Sequence, residues 1–282
     1  MDQAITFGKK NSLVGVLTTP GQSASHKEIG VIYLNAGLLH RVGPYRMNVE
    51  LANLLANEGY NSFRFDSSSI GDSGTANNKA DYTQTIIQDI KDAVDLMASR
   101  TGLNQFVIFG LCTGADNAHR AMVHDKRIVG GIFLDGYSYP SFKFMVKHYL
   151  PILLNPSRAA RALLAKAKNS FLFRIFCTPT STAKVEANDM FSWQLPNKKE
   201  TENELKLLLG RGAKLFYIFS GTALNSYNYE NQYFHSMPFL NQFKHQFKVI
   251  LNKNTDHTYR LYHDRLWLYS EVLKWLNSVK KK

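Results

Sequence analysis

Apolar and polar residues alternate along this chain in two distinct patterns. Short, nearly continuous apolar runs such as GVIYL, FVIF and KLFYIF are typical of strands buried on both faces of a parallel sheet. Between them lie longer segments with apolar residues at helical spacing, as in TIIQDIKDAVDLM and the final RLWLYSEVLKWL. The alternation predicts an α/β protein with a mostly parallel central sheet and helices on both faces, preceded by an N-terminal hairpin formed by ITF and SLVGVL.

Chemically distinctive residues follow the ends of the predicted strands. They are the stretch from Asn35 to His40, Asp66, Cys112, Asp135, Gly221 and His257. Active sites in sheets of this kind lie at the carboxyl ends of the strands. We therefore expect an active site at that edge.

The stretch FGLCTG places Cys112 between two glycines, directly after the predicted strand QFVIF. Glycines on both sides of a small residue suit a tight strand-to-helix turn, in which neighbouring side chains would clash. A thiol at the start of a helix is a candidate nucleophile, because the helix dipole favours the thiolate. The alternative is a buried structural cysteine. Cys177 lacks such a frame and is interpreted as a packing residue.

The Gly-x-nucleophile-x-Gly frame and the late Asp-His after the last strand resemble the α/β-hydrolase fold over nearly the whole chain. The segments NAGLLHRVGPYR, RFDSSSIGDSG and NTDHT are similar to the serine-aminopeptidase-like branch. That branch usually carries Ser where this chain has Cys112, although dienelactone-hydrolase-like members and some thioesterases use Cys. The resemblance implies a core of residues 1–137 and 213–282, with a helical lid inserted at 138–212.

The resemblance also implies a general base, and His257 lies where the fold supplies it. The acid usually follows the seventh strand, but the loop SGTALNSYNYENQ has no Asp. Asp135 is the preferred acid, because some members of the fold take it from the preceding strand. Glu230 is the alternative, and a Cys-His dyad without an acid is the third option. Asp256 adjoins His257 but is expected to point to the opposite side.

An oxyanion hole needs two backbone N–H groups. Thr113, after the nucleophile, and Leu38, in the loop after GVIYLNAG, are the predicted donors, with Leu39 as second choice. Gly37 allows the loop to turn close to the substrate, Asn35 stiffens it, and His40 is a candidate lining residue. The segment containing Asp66, Asp72 and Ser73 is interpreted as bracing for the loops beneath the site.

Composition limits the remaining possibilities. The chain has 282 residues, of which 44% are hydrophobic, enough for a large core. No apolar run reaches about 18 residues, and the start lacks the layout of a secretion signal, so we expect a cytoplasmic protein. The two cysteines suggest neither a disulfide framework nor a zinc site. No cofactor or metal is implied.

The net charge of +12 is concentrated in one segment. Between Ser141 and Val185 there are no acidic residues, and the basic ones are Lys143, Lys147, Arg158, Arg161, Lys166, Lys168, Arg174 and Lys184. No nucleic-acid-binding motif accompanies them. One interpretation of this segment is a lid with a solvated basic face. Another is a lid that presents positive charge to an acyl substrate on an anionic carrier. Contact with a membrane surface is the lesser alternative.

The residues and the resemblance together predict a hydrolase of an ester or thioester with a hydrophobic acyl group. Such a hydrolase would form an acyl-enzyme on Cys112 and release it with water. An acyltransferase or cyclase would form the same acyl-enzyme but pass the acyl group to an amine or alcohol. A non-catalytic binding protein with the same fold is the third reading, since a fold hosts many functions.

Overall fold

The computed structural model of the chain describes residues 1–22, 24–75, 81–155 and 195–279. The predicted mostly parallel sheet is confirmed, with eight strands in the order β1-β2-β4-β3-β5-β6-β7-β8. The strands are β1 (Asp2–Phe7), β2 (Leu13–Thr18), β3 (Gly30–Tyr33), β4 (Ser62–Asp66), β5 (Phe106–Leu111), β6 (Ile128–Leu134), β7 (Lys214–Ser220) and β8 (Phe247–Asn252).

The helices in the described residues alternate with these strands. They are α1 (Met47–Asn57), α2 (Tyr82–Thr101), α3 (Thr113–His124), α4 (Phe142–Leu153), α5 (Lys198–Gly210), α6 (Gln232–Ser236) and α7 (Tyr262–Ser278). Gly102 follows α2 with a φ of 72°, a left-handed conformation that ends the helix at low cost for a residue without a side chain.

The first two strands form the predicted hairpin, and β2 also pairs antiparallel with β4. Every other pair in the sheet is parallel, in a register that places Leu111 opposite Leu134 and Ser220 opposite Asn252. Strands β5 to β8 therefore end side by side at one edge. The loops that follow them are brought together there, although they are far apart in the sequence.

Apolar side chains form one core on each face of the sheet. One cluster contains Ile90 of α2 and Ala118 of α3, and the other contains Leu51 of α1 and Val272 of α7. The strands β3, β5 and β6 are buried along nearly their whole length, which explains their continuous apolar runs. The prediction of helices on both faces is confirmed.

Only the two ends of the predicted lid at 138–212 lie among the described residues. Its first part contains α4. Its last part contains α5, which contributes Leu205 to the core, and Glu204 of α5 contacts the buried His119 of α3 at 2.9 Å. Residues 156–194, including Cys177 and six of the eight basic residues, lie outside the described residues. The assignment of 138–212 as a lid stays a prediction.

Within the described ranges, no helix combines the length and the apolarity that crossing a membrane would require.

Candidate active site

Cys112 occupies the turn between β5 and α3. Its backbone has φ 56° and ψ −123°, a conformation that residues with a side chain rarely adopt. Such a conformation costs on the order of 1–3 kcal/mol and persists only where the surroundings enforce it. The Cys112 N–H donates to the Leu134 carbonyl at 2.9 Å, which ties the turn to the end of β6. The thiol is consequently held at the start of α3, beside the loop that follows β6.

The two glycines of GLCTG are required by close backbone contacts. A Cβ on Gly110 would lie 2.1 Å from the Gly114 carbonyl oxygen, and a Cβ on Gly114 would lie 2.5 Å from the Asn35 carbonyl oxygen. Side chains do not fit at such distances from backbone atoms. The first contact closes the turn on itself, and the second brings the loop after β3 against the start of α3.

His257 lies in the loop after β8, and its ring contacts the side chains of Asp135 and Cys112. The His257 Nδ1–H donates to Asp135 Oδ2 at 2.6 Å, and the Asp135 side chain is 6% exposed. A proton on Nδ1 leaves Nε2 for the other hydrogen-bond partner, the Cys112 side chain. The three residues come from three different strand ends and meet at one point.

Ser220, the last residue of β7, fixes the Asp135 carboxylate. Its backbone N–H donates to Asp135 Oδ1 and its hydroxyl donates to Oδ2, both at 2.7 Å. Ser220 is fully buried, so water does not compete for these bonds. The sequence gives little indication of this role for Ser220, which stands out only as a small polar residue at the end of an otherwise apolar strand.

The surroundings favour the charged form of His257. The hydrogen bond to Asp135, followed by the hydrogen bond to Cys112, raises the pKa of His257 to about 10, although partial burial acts in the opposite direction. At neutral pH the imidazole is therefore protonated in this environment. A protonated imidazole in this position can supply a proton to a leaving group.

The other two acidic candidates do not contact His257. Glu230 is exposed and lines a different cavity, together with Lys143, Lys147 and Lys253. Asp256 accepts hydrogen bonds from the backbone N–H and the hydroxyl of Thr258, and none from the His257 ring. Among the described carboxylates, Asp135 is the one bonded to the imidazole.

The loop after β3 lies against the turn that carries Cys112. The Gly37 N–H donates to Thr113 Oγ1 at 2.8 Å, which links the loop to the start of α3. Leu38 is 68% exposed, and neither its N–H nor that of Thr113 donates to an acceptor in the described part of the chain. Both amides are therefore available to an oxygen of a bound molecule. The Leu39 N–H donates to the Ala36 carbonyl and is already occupied.

A buried carboxylate holds this loop in place. Asp66 is completely buried and accepts from the Asn35 side chain and from the backbone and guanidinium of Arg41. Ser73 donates to the Asp66 carbonyl, and the guanidinium also contacts Asp72. These contacts connect the loop after β3 to the loop after β4.

The catalytic candidates open into a cavity of about 430 Å³. Its described lining consists of Cys112, Asp135, Gly136, Ser138, Pro140, Phe144, Leu195, Thr222, Ala223, Asn225, Ser226 and His257. This described lining contains no Lys, Arg or Glu, and Phe144 and Leu195 are its largest apolar members. His40 is exposed and does not belong to this lining. The cavity suits an apolar group next to the thiol.

No group of three or more His, Cys, Asp or Glu side chains is arranged to hold a metal ion in the residues that the structure describes.

Comparison with known proteins identifies the fold. No family model and no curated protein matches the sequence. Among solved structures, the chain is similar to an esterase from Pyrococcus furiosus, with a TM-score of 0.57, 18% identity, and coverage of 98% of this chain and 89% of that one. It is also similar to an α/β serine hydrolase without a lid from Xanthomonas campestris, with a TM-score of 0.55, 12% identity, and coverage of 98% and 94%. The predicted α/β-hydrolase fold is confirmed.

We expect Gly114→Ala to destabilise the protein, because the new Cβ meets the Asn35 carbonyl. The free energy of unfolding in urea should fall by about 1–3 kcal/mol, as for other overpacked sites. Gly210→Ala is the matched control: it lies at the end of α5 with no atom within 4 Å of its Cβ position. The control should be neutral or stabilising by up to about 1 kcal/mol. Equal effects of the two substitutions would contradict the close contact.

We expect the stabilisation contributed by His257 to depend on pH. Its folded pKa of about 10 exceeds the ordinary value of 6.5, so the contribution is complete below pH 6.5 and is lost as the pH rises through 10. The difference in free energy of unfolding between wild type and His257→Gln should narrow over that range by on the order of 1 kcal/mol, after allowance for solvent screening. His263→Gln is the control, because His263 is exposed although it also contacts a carboxylate, that of Asp264. A difference independent of pH would contradict the charged pair.

Proposed function

We propose that this protein is a hydrolase that cleaves an ester or thioester of a hydrophobic acyl group through an acyl-enzyme on Cys112. The observation that carries the proposal is the position of His257, whose ring contacts the Asp135 carboxylate and the Cys112 side chain at the cavity. This arrangement has the connectivity of a nucleophile-base-acid triad.

The first half-reaction forms the acyl-enzyme. The Cys112 thiolate attacks the carbonyl carbon, and the N–H groups of Thr113 and Leu38 stabilise the negative charge that develops on the carbonyl oxygen. As the tetrahedral intermediate collapses, the bond to the leaving group breaks and the His257 imidazolium protonates the departing sulfur or oxygen. The products are a free thiol or alcohol and a thioester on Cys112, with His257 now neutral.

The second half-reaction releases the carboxylic acid product from Cys112. Neutral His257 removes a proton from water, and the resulting hydroxide attacks the thioester carbonyl. The bond to the Cys112 sulfur then breaks, and the thiolate and the imidazolium are restored. Asp135 keeps the imidazole in the required tautomer and stabilises its positive charge throughout, because Ser220 holds the carboxylate in position.

The cavity supports a substrate with an apolar acyl group. Phe144, Leu195 and Pro140 contribute apolar surface, and about 430 Å³ is sufficient for a medium or large acyl chain. The structural neighbours agree with this reaction class, since two of them are described as an esterase and a serine hydrolase. The nucleophile differs, because this chain has a thiol where a serine hydrolase has a hydroxyl.

We expect the purified protein to hydrolyse hexanoyl thioesters and p-nitrophenyl hexanoate. Intact-mass spectrometry after acid quenching should show one hexanoyl group, located on Cys112 by peptide mapping. Cys112→Ala should abolish the adduct, and His257→Ala should lower turnover by about 10²–10⁴, the range for loss of an acid-base group. His26→Ala, an exposed histidine at the opposite edge of the sheet, is the control.

The absence of an adduct on Cys112 with both substrates would contradict the proposal and favour a binding protein. An adduct that is released faster by a primary amine than by water, with formation of an amide, would identify an acyltransferase. A thiol nucleophile makes that alternative chemically reasonable, since thioesters react readily with amines.

A further inference from the structure

A second cavity, of about 290 Å³, lies beside the catalytic cavity at the same edge of the sheet. Its described lining consists of Lys143, Lys147, Tyr229, Glu230, Asn231, Leu251 and Lys253. These residues come from α4, from the loop after β7 and from the end of β8. Elements adjoining the catalytic cavity therefore build this one too, although Cys112, Asp135 and His257 do not line it.

The charge of the second cavity is strongly unbalanced. It contains three lysines and a single carboxylate, on Glu230, for a net charge of +2 at neutral pH. No described carboxylate lies within 4 Å of Lys143, Lys147 or Lys253. Like charges that line one cavity repel each other, and an anion bound between them relieves that repulsion.

Tyr229 gives two of the lysines a fixed support. The Lys143 and Lys147 ammonium groups lie 5.2 and 5.4 Å from the centroid of the Tyr229 ring, within the range of a cation–π contact. Tyr229 is buried, and its hydroxyl is hydrogen-bonded to Ser141 and to His235. The ring is therefore held firmly, and both lysines are positioned before any ligand binds.

The two cavities are connected through shared structure. Phe144, which lines the catalytic cavity, lies on α4 between the two lysines. On the other side, the loop carrying Lys253 packs against the start of the loop after β7, because a Cβ on Gly221 would lie 2.3 Å from the Lys253 carbonyl. The next residue, Thr222, lines the catalytic cavity and accepts from the His257 N–H. The two cavities are consequently lined by neighbouring residues of the same helix and the same two loops.

We propose that the lysine cavity binds a phosphate monoester on the leaving-group side of the acyl substrate. This inference rests on the proposed function and defines its substrate class. The net charge of +2 matches the dianion that a phosphate monoester becomes near neutral pH, and lysine binds phosphate as a point charge. The acyl group then occupies the apolar cavity while the phosphate is held between Lys143, Lys147 and Lys253.

Two matched substrates test this assignment: the hexanoyl thioesters of 4′-phosphopantetheine and of pantetheine, which differ only in the phosphate. Wild type should show a kcat/KM at least about tenfold higher for the phosphorylated thioester, equivalent to about 1.4 kcal/mol. The preference should weaken as ionic strength rises from about 0.01 to 0.15 M, because these lysines are exposed. In Lys143→Gln/Lys147→Gln the ratio should fall to within about twofold, since the variant loses two of the three positive charges.

Lys27→Gln is the control, because Lys27 also lies over a tyrosine ring, that of Tyr60, at 5.6 Å, but at the opposite edge of the sheet. This variant should keep the wild-type ratio. Calorimetric binding of 4′-phosphopantetheine and of pantetheine to Cys112→Ala provides a readout that is independent of turnover.

The outcomes separate the two proposals. Stronger binding of the phosphorylated compound, lost in the double lysine variant, supports the anion site even when neither thioester is hydrolysed. Hydrolysis of both thioesters without preference, together with equal binding, would overturn the anion site and leave the hydrolase standing. A preference that survives in the double variant would also overturn the assignment to these lysines.

Discussion

The Asp135 carboxylate determines how the site is organised, because it fixes the ring of His257, and that ring faces the Cys112 thiol. The carboxylate accepts three hydrogen bonds, from the His257 ring and from the backbone and hydroxyl of Ser220. Two of the donors belong to Ser220 at the end of β7, and the third is the His257 ring in the loop after β8. The bond between Asp135 and His257 therefore requires β6, β7 and β8 to be paired in register. The geometry of the site depends on that edge of the sheet.

Much of the fold followed from the sequence because buried parallel strands leave a clear signal. Continuous apolar runs and helical periodicity located the strands and helices. The glycines of GLCTG also had a readable physical cause, since the contacts at Gly110 and Gly114 exclude any side chain. The sequence alone left open the choice among Asp135, Glu230 and no acid, because that choice depends on which loops meet in space. The role of Ser220 could not be predicted from the sequence, because it depends on the contact of this buried serine with the Asp135 carboxylate.

In the proposed reaction, the two cavities divide the recognition of a substrate into an apolar part and a charged part. The catalytic cavity has no lysine or arginine in its described lining, whereas the neighbouring cavity has three lysines. The basic character predicted for residues 141–185 is represented in the described structure by Lys143 and Lys147. The sequence suggested an anionic carrier from the charge of this segment as a whole. The structure adds Tyr229 as the support for these lysines and Lys253 as a further contributor from the loop after β8, which no sequence pattern indicated.

The central claim is that His257 activates Cys112, and the rate of alkylation of Cys112 by iodoacetamide between pH 6 and 9 tests it most directly. The measurement compares wild type with His257→Ala and identifies the modified residue by mass spectrometry, so it needs no knowledge of the substrate. At pH 7 wild type should react at least about tenfold faster, and the two rates should converge near pH 9, where an ordinary thiol with a pKa of about 8.5 is largely ionised. Equal rates at pH 7 would show that the histidine does not influence the thiol, and would contradict the account of the active site.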